Sequence, residues 1–235
     1  MSTFVELCQE VAKDSGTISN LGQPATVTGQ IGRLSRIVDW TKDAYNDIQR
    51  RNENWRWMQS DFTGQTIAGT RNYNAASMSI SERFASWVFR DFWDMEKFSL
   101  YLTADGPAEE GYLRYVDYED FRRHYLYGNY SLREGKPTVV SINNADELVF
   151  YPKPDDIYTV RGQYRKSEQI LTLDADVPEM PSEYHQAIKW RALILLGTYD
   201  EAMEQAPIWQ KNYLDIIARL VDNQLPRITT GGPLA

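Results

Sequence analysis

The feature that most constrains this chain is a change of hydrophobic period along its length. Over residues 29–52 the apolar positions Ile31, Leu34, Ile37/Val38, Thr41, Ala44/Tyr45 and Ile48 recur at intervals of three and four. That spacing puts them on one face and predicts a single long helix. At Trp55 the period shortens to two: residues 55–58 and 61–67 alternate as strands do, with breaks at Gly64 and Gly69. The helical period returns at Ser182, where Tyr184, Ala187/Ile188, Arg191/Ala192, Leu195/Leu196 and Tyr199 form a stripe. A chain with helices at both ends and strands between buries its helical stripes most simply by packing the ends together. The expected fold class is therefore α+β: a four-helix bundle built from both chain ends, with a long β-rich insertion.

Local signals fill in this outline. Thr3-x-x-Glu6 is a capping-box spacing ahead of Phe4, Leu7, Cys8 and Val11, and Ser15-Gly16 stops the helix it starts. Further strands are expected at 78–80, 99–103, 112–116 and 157–166, and a hairpin joins 138–142 to 147–151 across Asn143-Asn144-Ala145-Asp146. Residues 84–93 are aromatic-rich and fit neither period. Asp117 is placed to cap a short helix over 117–127. Pro207 opens a last helix with Ile208, Trp209, Tyr213, Ile216/Ile217 and Leu220 on its buried face. The expected divisions are residues 1–54 for the N-terminal helices, 55–170 for the β-rich insertion, 171–224 for the C-terminal helices and 225–235 for an extended arm.

Composition narrows the function classes. With 42% hydrophobic and 25% charged residues the chain is of ordinary globular make-up. The longest apolar run, Ala192 to Leu196, is far short of the roughly 20 residues a membrane span needs, so no membrane is expected as a partner. Met1 to Glu6 has neither a basic region nor an apolar stretch behind it, and no secretory signal is expected. Cys8 is the only cysteine, which rules out an internal disulfide and a cysteine-based metal site. With 33 acidic against 25 basic residues the net charge is −8, unsuited to gripping nucleic acid by its phosphates. A surface past which DNA slides without sticking remains compatible with it. Fifteen tyrosines and seven tryptophans suit a protein with extensive protein contacts, and a Tyr-rich β core explains part of that enrichment equally well.

Few residues signal chemistry, and no cofactor is expected. His124 lies in the surface-like run Arg122-Arg123-His124, and His185 follows a helix cap as an expected exposed residue. Neither sits in a local motif for a triad or a metal. The acid pairs Glu109-Glu110, Glu119-Asp120 and Asp155-Asp156 have the residue types of acid–base hydrolysis, but adjacent acids in loops and helix starts are more often solvated. Arg56 and Arg71 among Trp55, Trp57 and Tyr73 are compatible with base stacking, although strand alternation favours core packing. Asp39, Asp43 and Asp47 recur every four residues and so share one helix face. They form either a solvated face or an acidic stripe facing a channel or a neighbouring subunit.

The series Phe4-x-x-Leu7, Gly16, Gly32-Arg33-Leu34-x-x-Ile37-Val38-Asp39-Trp40-x-x-x-Ala44-x-x-x-Ile48-Gln49 and Trp55-x-Trp57-Met58 resembles the N-terminal half of head-to-tail adaptor (connector) proteins of tailed bacteriophages. Pro181-x-x-Tyr184-x-x-Ala187-Ile188 is similar to the opening of their penultimate helix. The resemblance covers the helices at both ends, and the β insertion matches only in character. It implies a structural virion protein without enzymatic activity, present as a dodecameric ring at the neck between capsid and tail and made in the host cytoplasm. The implied partners are further copies of the chain, the portal protein and a tail or nozzle protein. Double-stranded DNA would pass through the ring without specific binding. The family's portal-reaching tail would correspond here to Leu225, Pro226, Arg227, Ile228 and Leu234. The contrasting readings are a small phage-encoded hydrolase using the paired carboxylates and a monomeric binding module on the virion surface.

Overall fold

The computed structural model describes residues 1–16, 22–81, 83–90, 95–200 and 204–225. The chain is α+β and divides into two units. One comprises Met1–Trp57 with the described residues from Glu168 onward, and the other is Met58–Ser167.

The first unit is helical. Helix α1 (Phe4–Asp14) opens with the capping box in place: Thr3 accepts from the Glu6 N–H, and Glu6 accepts from the Thr3 N–H at 2.8 Å. Helix α2 (Gly32–Arg50) buries Ile37, Val38, Thr41, Ala44, Tyr45, Ile48 and Gln49. Ile31, expected on that buried stripe, instead precedes the first turn as an extended cap residue and is 86% exposed. Helix α3 (Tyr118–Tyr125) belongs to the other unit, and the remaining helices here are α4 (Gln186–Tyr199) and α5 (Ala206–Gln224). Helix α4 contacts α1, α2 and α5, and apolar residues are spread around its circumference, so it lies at the centre of the unit. Gly197 lets α5 approach closely, since a Cβ there would stand 2.7 Å from the Trp209 ring.

Polar side chains tie the distant ends of the chain together in this unit. Gln49, buried, donates to the Gln169 carbonyl at 3.0 Å and accepts from the Gln169 N–H at 2.8 Å. The Tyr45 hydroxyl donates to Gln169 Oε1 at 2.8 Å and accepts from the Glu179 N–H. Asp174 accepts from the Val27 N–H and from the Thr26 hydroxyl. His185 is buried rather than exposed. A turn of 3-10 helix at Ser182–Tyr184 precedes α4 and swings the imidazole inward. There Nδ1 accepts from the Ser2 N–H and Nε2–H donates to the Met180 carbonyl. Burial holds the imidazole below its ordinary pKa, so it stays neutral.

The second unit is a sandwich of two sheets. Strands β1 (Gln59–Gln65), β2 (Asn72–Tyr73), β3 (Phe84–Val88), β4 (Ser99–Leu102), β5 (Gly111–Tyr112) and β6 (Arg114–Tyr115) precede helix α3 (Tyr118–Tyr125). Strands β7 (Val139–Ile142), β8 (Leu148–Tyr151) and β9 (Tyr158–Lys166) follow it. The first sheet runs β1-β9-β4-β5, with β3 also paired to β9; the second runs β2-β8-β7-β6. Alternation sorts the residues of β8: Leu148 and Phe150 face the core between the sheets, while Val149 packs with Phe121 of α3 on the outer face. The layers are therefore first sheet, core, second sheet and α3.

Three strand expectations are corrected here. The single strand expected over 112–116 is two, because Leu113 buries in the core while the chain passes from β5 in one sheet to β6 in the other. The Leu113 N–H goes to Phe98 and the Arg114 N–H to Thr138, so the hydrogen-bonding partner changes within one step. Residues 78–80 end a 3-10 turn, Ala76–Met78, with Ser79 at φ 62°, and that turn packs on β1 at Gly64. Arg56–Met58 form a 3-10 turn just after Trp55, which stacks on Trp57 at 4.6 Å and donates its indole N–H to the Ile48 carbonyl.

Candidate interaction surfaces

The acidic face of α2 splits in two. Asp39 and Asp43 are exposed and form no ion pair among the described residues. Asp47 turns toward α4, where Arg191 donates to one carboxylate oxygen from Nε at 2.9 Å and from Nη2 at 2.6 Å. The stripe thus presents two uncompensated carboxylates and one that is spent within the fold. At the C-terminus, Leu225 is the half-buried cap of α5 in extended conformation, as expected of a residue before proline. Pro226, Arg227, Ile228 and Leu234 lie outside the described residues.

Five of the six paired acids, all but Glu109, have ordinary structural partners for their carboxylates among the described residues. Glu110 accepts from Ser99 and pairs with Arg161 at 3.3 Å. Glu119 and Asp120 face Arg122 and Arg123 one turn along α3. Asp155 accepts from the Tyr158 hydroxyl at 2.7 Å, and Asp156 accepts from the Ile157 N–H. His124 is exposed and bonds to the Asp120 carbonyl in its own helix. Arg71 is half-buried and donates to the Ser131 carbonyl, and burial lowers its pKa. Arg56 is exposed. Among the described residues no cluster of three His, Cys, Asp or Glu side chains is arranged to hold a metal, and no helix is long and apolar enough to cross a membrane.

Two surfaces of the β unit have the character of contact sites. The first is an open cleft of about 820 Å³ on the outer face of the first sheet. Asp61 and Thr63 of β1 stand opposite Gln163 and Arg161 of β9 there, with Met95 and Tyr112 among the lining residues. A chain of hydrogen bonds crosses it: Lys97 Nζ donates to Gln163 Oε1, and Gln163 Nε2 donates to Asp61 Oδ1, both at 2.8 Å. Asp61 therefore has an amide neighbour and, among the described residues, no ion pair, although Lys97 and Arg161 line the same cleft. At the edge of the cleft, Glu96 Oε1 accepts from the Tyr115 N–H, while Oε2 is buried without a hydrogen-bond partner.

The second is the 3-10 turn Gly128–Leu132, after α3. Tyr127, Tyr130 and Leu132 are 62%, 61% and 75% exposed, so three large apolar side chains within six residues face solvent. The turn that carries them is tethered. Ser131 donates to the Gly128 carbonyl and accepts from Arg71, Lys153 N–H donates to the Arg133 carbonyl, and Gly135 N–H returns to Lys153. No periodicity marks this cluster in the sequence; the only available signal was the density of Tyr and Leu in a segment with no core period.

No curated protein matches the chain. The sequence does match the SU10 adaptor protein family over residues 2–234, a span that includes both units, and the chain belongs to that family of phage structural adaptors.

Proposed function

We propose that the chain is a ring-forming head-to-tail adaptor, joining the portal of a phage capsid to the tail and leaving a channel for the genome. The observation that carries this reading is the family match over residues 2–234, which takes in the helices of both chain ends and the β unit between them. Membership makes the protein a virion component whose work is binding other head and tail proteins. The helices of the two ends, gathered around α4, act as a four-helix wall, and the β unit serves as a contact module. The ring is dodecameric, and its partners are the portal protein on one side and a tail or nozzle protein on the other.

A net charge of −8 suits such a passage, because a negative wall repels phosphates while clustered Lys and Arg would hold the DNA. Asp39 and Asp43 are the candidates for that wall; Asp47 contributes less because Arg191 neutralises it. The C-terminal arm, residues 225–235, is the portal-docking segment. Its Gly231-Gly232-Pro233 run opposes helix, yet Leu225, Ile228 and Leu234 gain from burial on a partner.

The test is co-assembly of the purified chain with its portal protein, followed by electron microscopy and native mass spectrometry. Twelve copies on each portal ring are expected, and removal of residues 226–235 should abolish binding while leaving the circular dichroism spectrum intact. A chain that stays monomeric beside intact portal rings overturns the reading.

A further inference from the structure

The β unit carries an exposed apolar turn and an open cleft on different faces. The turn Gly128–Leu132 follows α3, which covers the outer face of the second sheet, whereas the cleft opens on the outer face of the first. A closed ring needs a heterologous contact, in which one patch of each subunit meets a different patch of the next. Two complementary features on different faces of one unit meet that requirement; a single self-complementary patch would give a two-fold dimer.

Their chemistry matches. Tyr130 and Leu132 present apolar surface on a backbone already fixed by hydrogen bonds, so little ordering entropy would be lost on docking. Arg133, next in sequence, is exposed and has no ion pair among the described residues. The cleft offers the converse. Met95 and Tyr112 are 65% and 75% exposed at its wall. Asp61 lies within it without an ion pair among the described residues, the two lining cations being engaged elsewhere, Arg161 with Glu110 and Lys97 with Gln163. Its volume of about 820 Å³ is ample for two side chains of this size.

We propose that the turn Gly128–Leu132 of one copy seats in the cleft of the next copy, with Tyr130 and Leu132 against Met95 and Tyr112 and Arg133 opposite Asp61. This rests on the ring reading and names the contact that closes the ring within a larger interface.

Cysteine pairing tests it directly, because the native Cys8 is fully buried and contributes no background. Phage carrying Thr63→Cys together with Leu132→Cys is oxidised, and the neck complex is run on a non-reducing gel. A ladder of covalent multimers is expected from the double variant and from neither single one. Rings seen by electron microscopy without a ladder overturn this contact and leave the ring reading standing. A Leu132→Cys product with the portal or tail protein also overturns it, since the occupant is then that partner. Absence of any ring beside intact portal removes both readings. Independently, Arg133→Glu should lower ring yield roughly tenfold, and Asp61→Lys in the same chain should recover most of it. A double variant no better than the single one counts against the pairing.

Discussion

The helical unit and the β unit solve the same problem, a core shared by distant segments, with different chemistry. In the helical unit the two chain ends meet through buried polar groups. Gln49 and Tyr45 grip residues 169 and 179, and His185 takes the N–H of Ser2, 183 residues away in sequence. In the β unit the segments meet through aromatic rings. Phe98 stacks on Phe89 at 4.4 Å and lies 5.4 Å from Phe62 and 6.1 Å from Trp87. Polar tethers are directional and fix register, but they fail when one partner changes protonation or is removed. Aromatic packing is indifferent to pH and fails when volume changes. The two units should therefore respond to different perturbations.

The largest expected effect is in the β unit. Phe98 is fully buried, and truncation to alanine removes the ring that contacts all three neighbours. Phe98→Ala should cost about 3–5 kcal/mol, read by urea denaturation. Hydrogen exchange should report the loss in residues 58–167 and spare α1, α2 and α4. Equal loss of protection in both units would mean that they unfold as one and do not differ in how they fail.

Next in size is the polar tether of the helical unit. Gln49→Leu conserves much of the volume but strands the N–H and C=O of Gln169, each now without its partner. A loss of about 2–3 kcal/mol is expected, confined to the helical unit. A near-neutral result would show that water replaces the amide there, and that the tether is less buried in solution than Gln49 is in the structure.

How much of this was legible in the sequence follows from the range of the signals. Helix α1 was readable because its cap, Thr3 with Glu6, and its stripe are all local. So were the β7–β8 pair and α5 with its early proline. Ile208, expected on the buried face of α5, is instead 60% exposed, because it lies in the first turn, one position off the stripe set by Trp209 and Tyr213. The burial of His185 was not readable, because its two partners are main-chain groups, one of them at the far end of the sequence. The sheet switch at Leu113 was equally hidden: residues 112–116 alternate whether their partners lie in one sheet or two. The aromatic segment from Phe84 fits no period because a bulge between Phe84 and Ser86 breaks the alternation, so that Phe84 and Trp87 meet on the core side with ring centroids 4.7 Å apart. Among candidate sites, Asp39 and Asp43 were visible as a four-residue repeat, whereas the exposed Tyr127, Tyr130 and Leu132 matched no period at all.

The third prediction uses pH to separate the units. Burial depresses the pKa of His185 below the 6.5 of the unfolded chain. The unfolded state therefore binds the proton more tightly, and stability is full above pH 6.5 and is lost as pH falls through that value toward the folded pKa. Denaturation at pH 7.5 and pH 5.5 should show the helical unit weakening while the β unit, with its aromatic core, does not. His185→Gln, which cannot titrate, should flatten that dependence. A slope of the same size in the variant would assign it to other groups.

The smallest expected effect is a gain, and it sharpens the comparison within the helical unit itself. α1 begins with a satisfied cap, whereas α2 begins at Ile31, whose backbone has cap geometry (φ −125°, ψ 157°) but whose side chain can accept nothing. α2 also has no acidic residue in its first turn to meet the helix dipole. Replacing Ile31 by serine supplies the missing acceptor at a position that is 86% exposed, so no core packing is lost. Ile31→Ser should raise the stability of the helical unit by about 1 kcal/mol, and Thr3→Ala should lower it by about the same amount. Two measurements decide whether the exposed Ile31 side chain has any use beyond the monomer. If Ile31 meets a partner in the assembled neck, Ile31→Ser will make the free chain more stable and its assembly with the portal weaker. Measured together, thermal denaturation and portal co-sedimentation decide the point: stability and assembly rising in parallel would leave Ile31 as an uncapped helix start and nothing more.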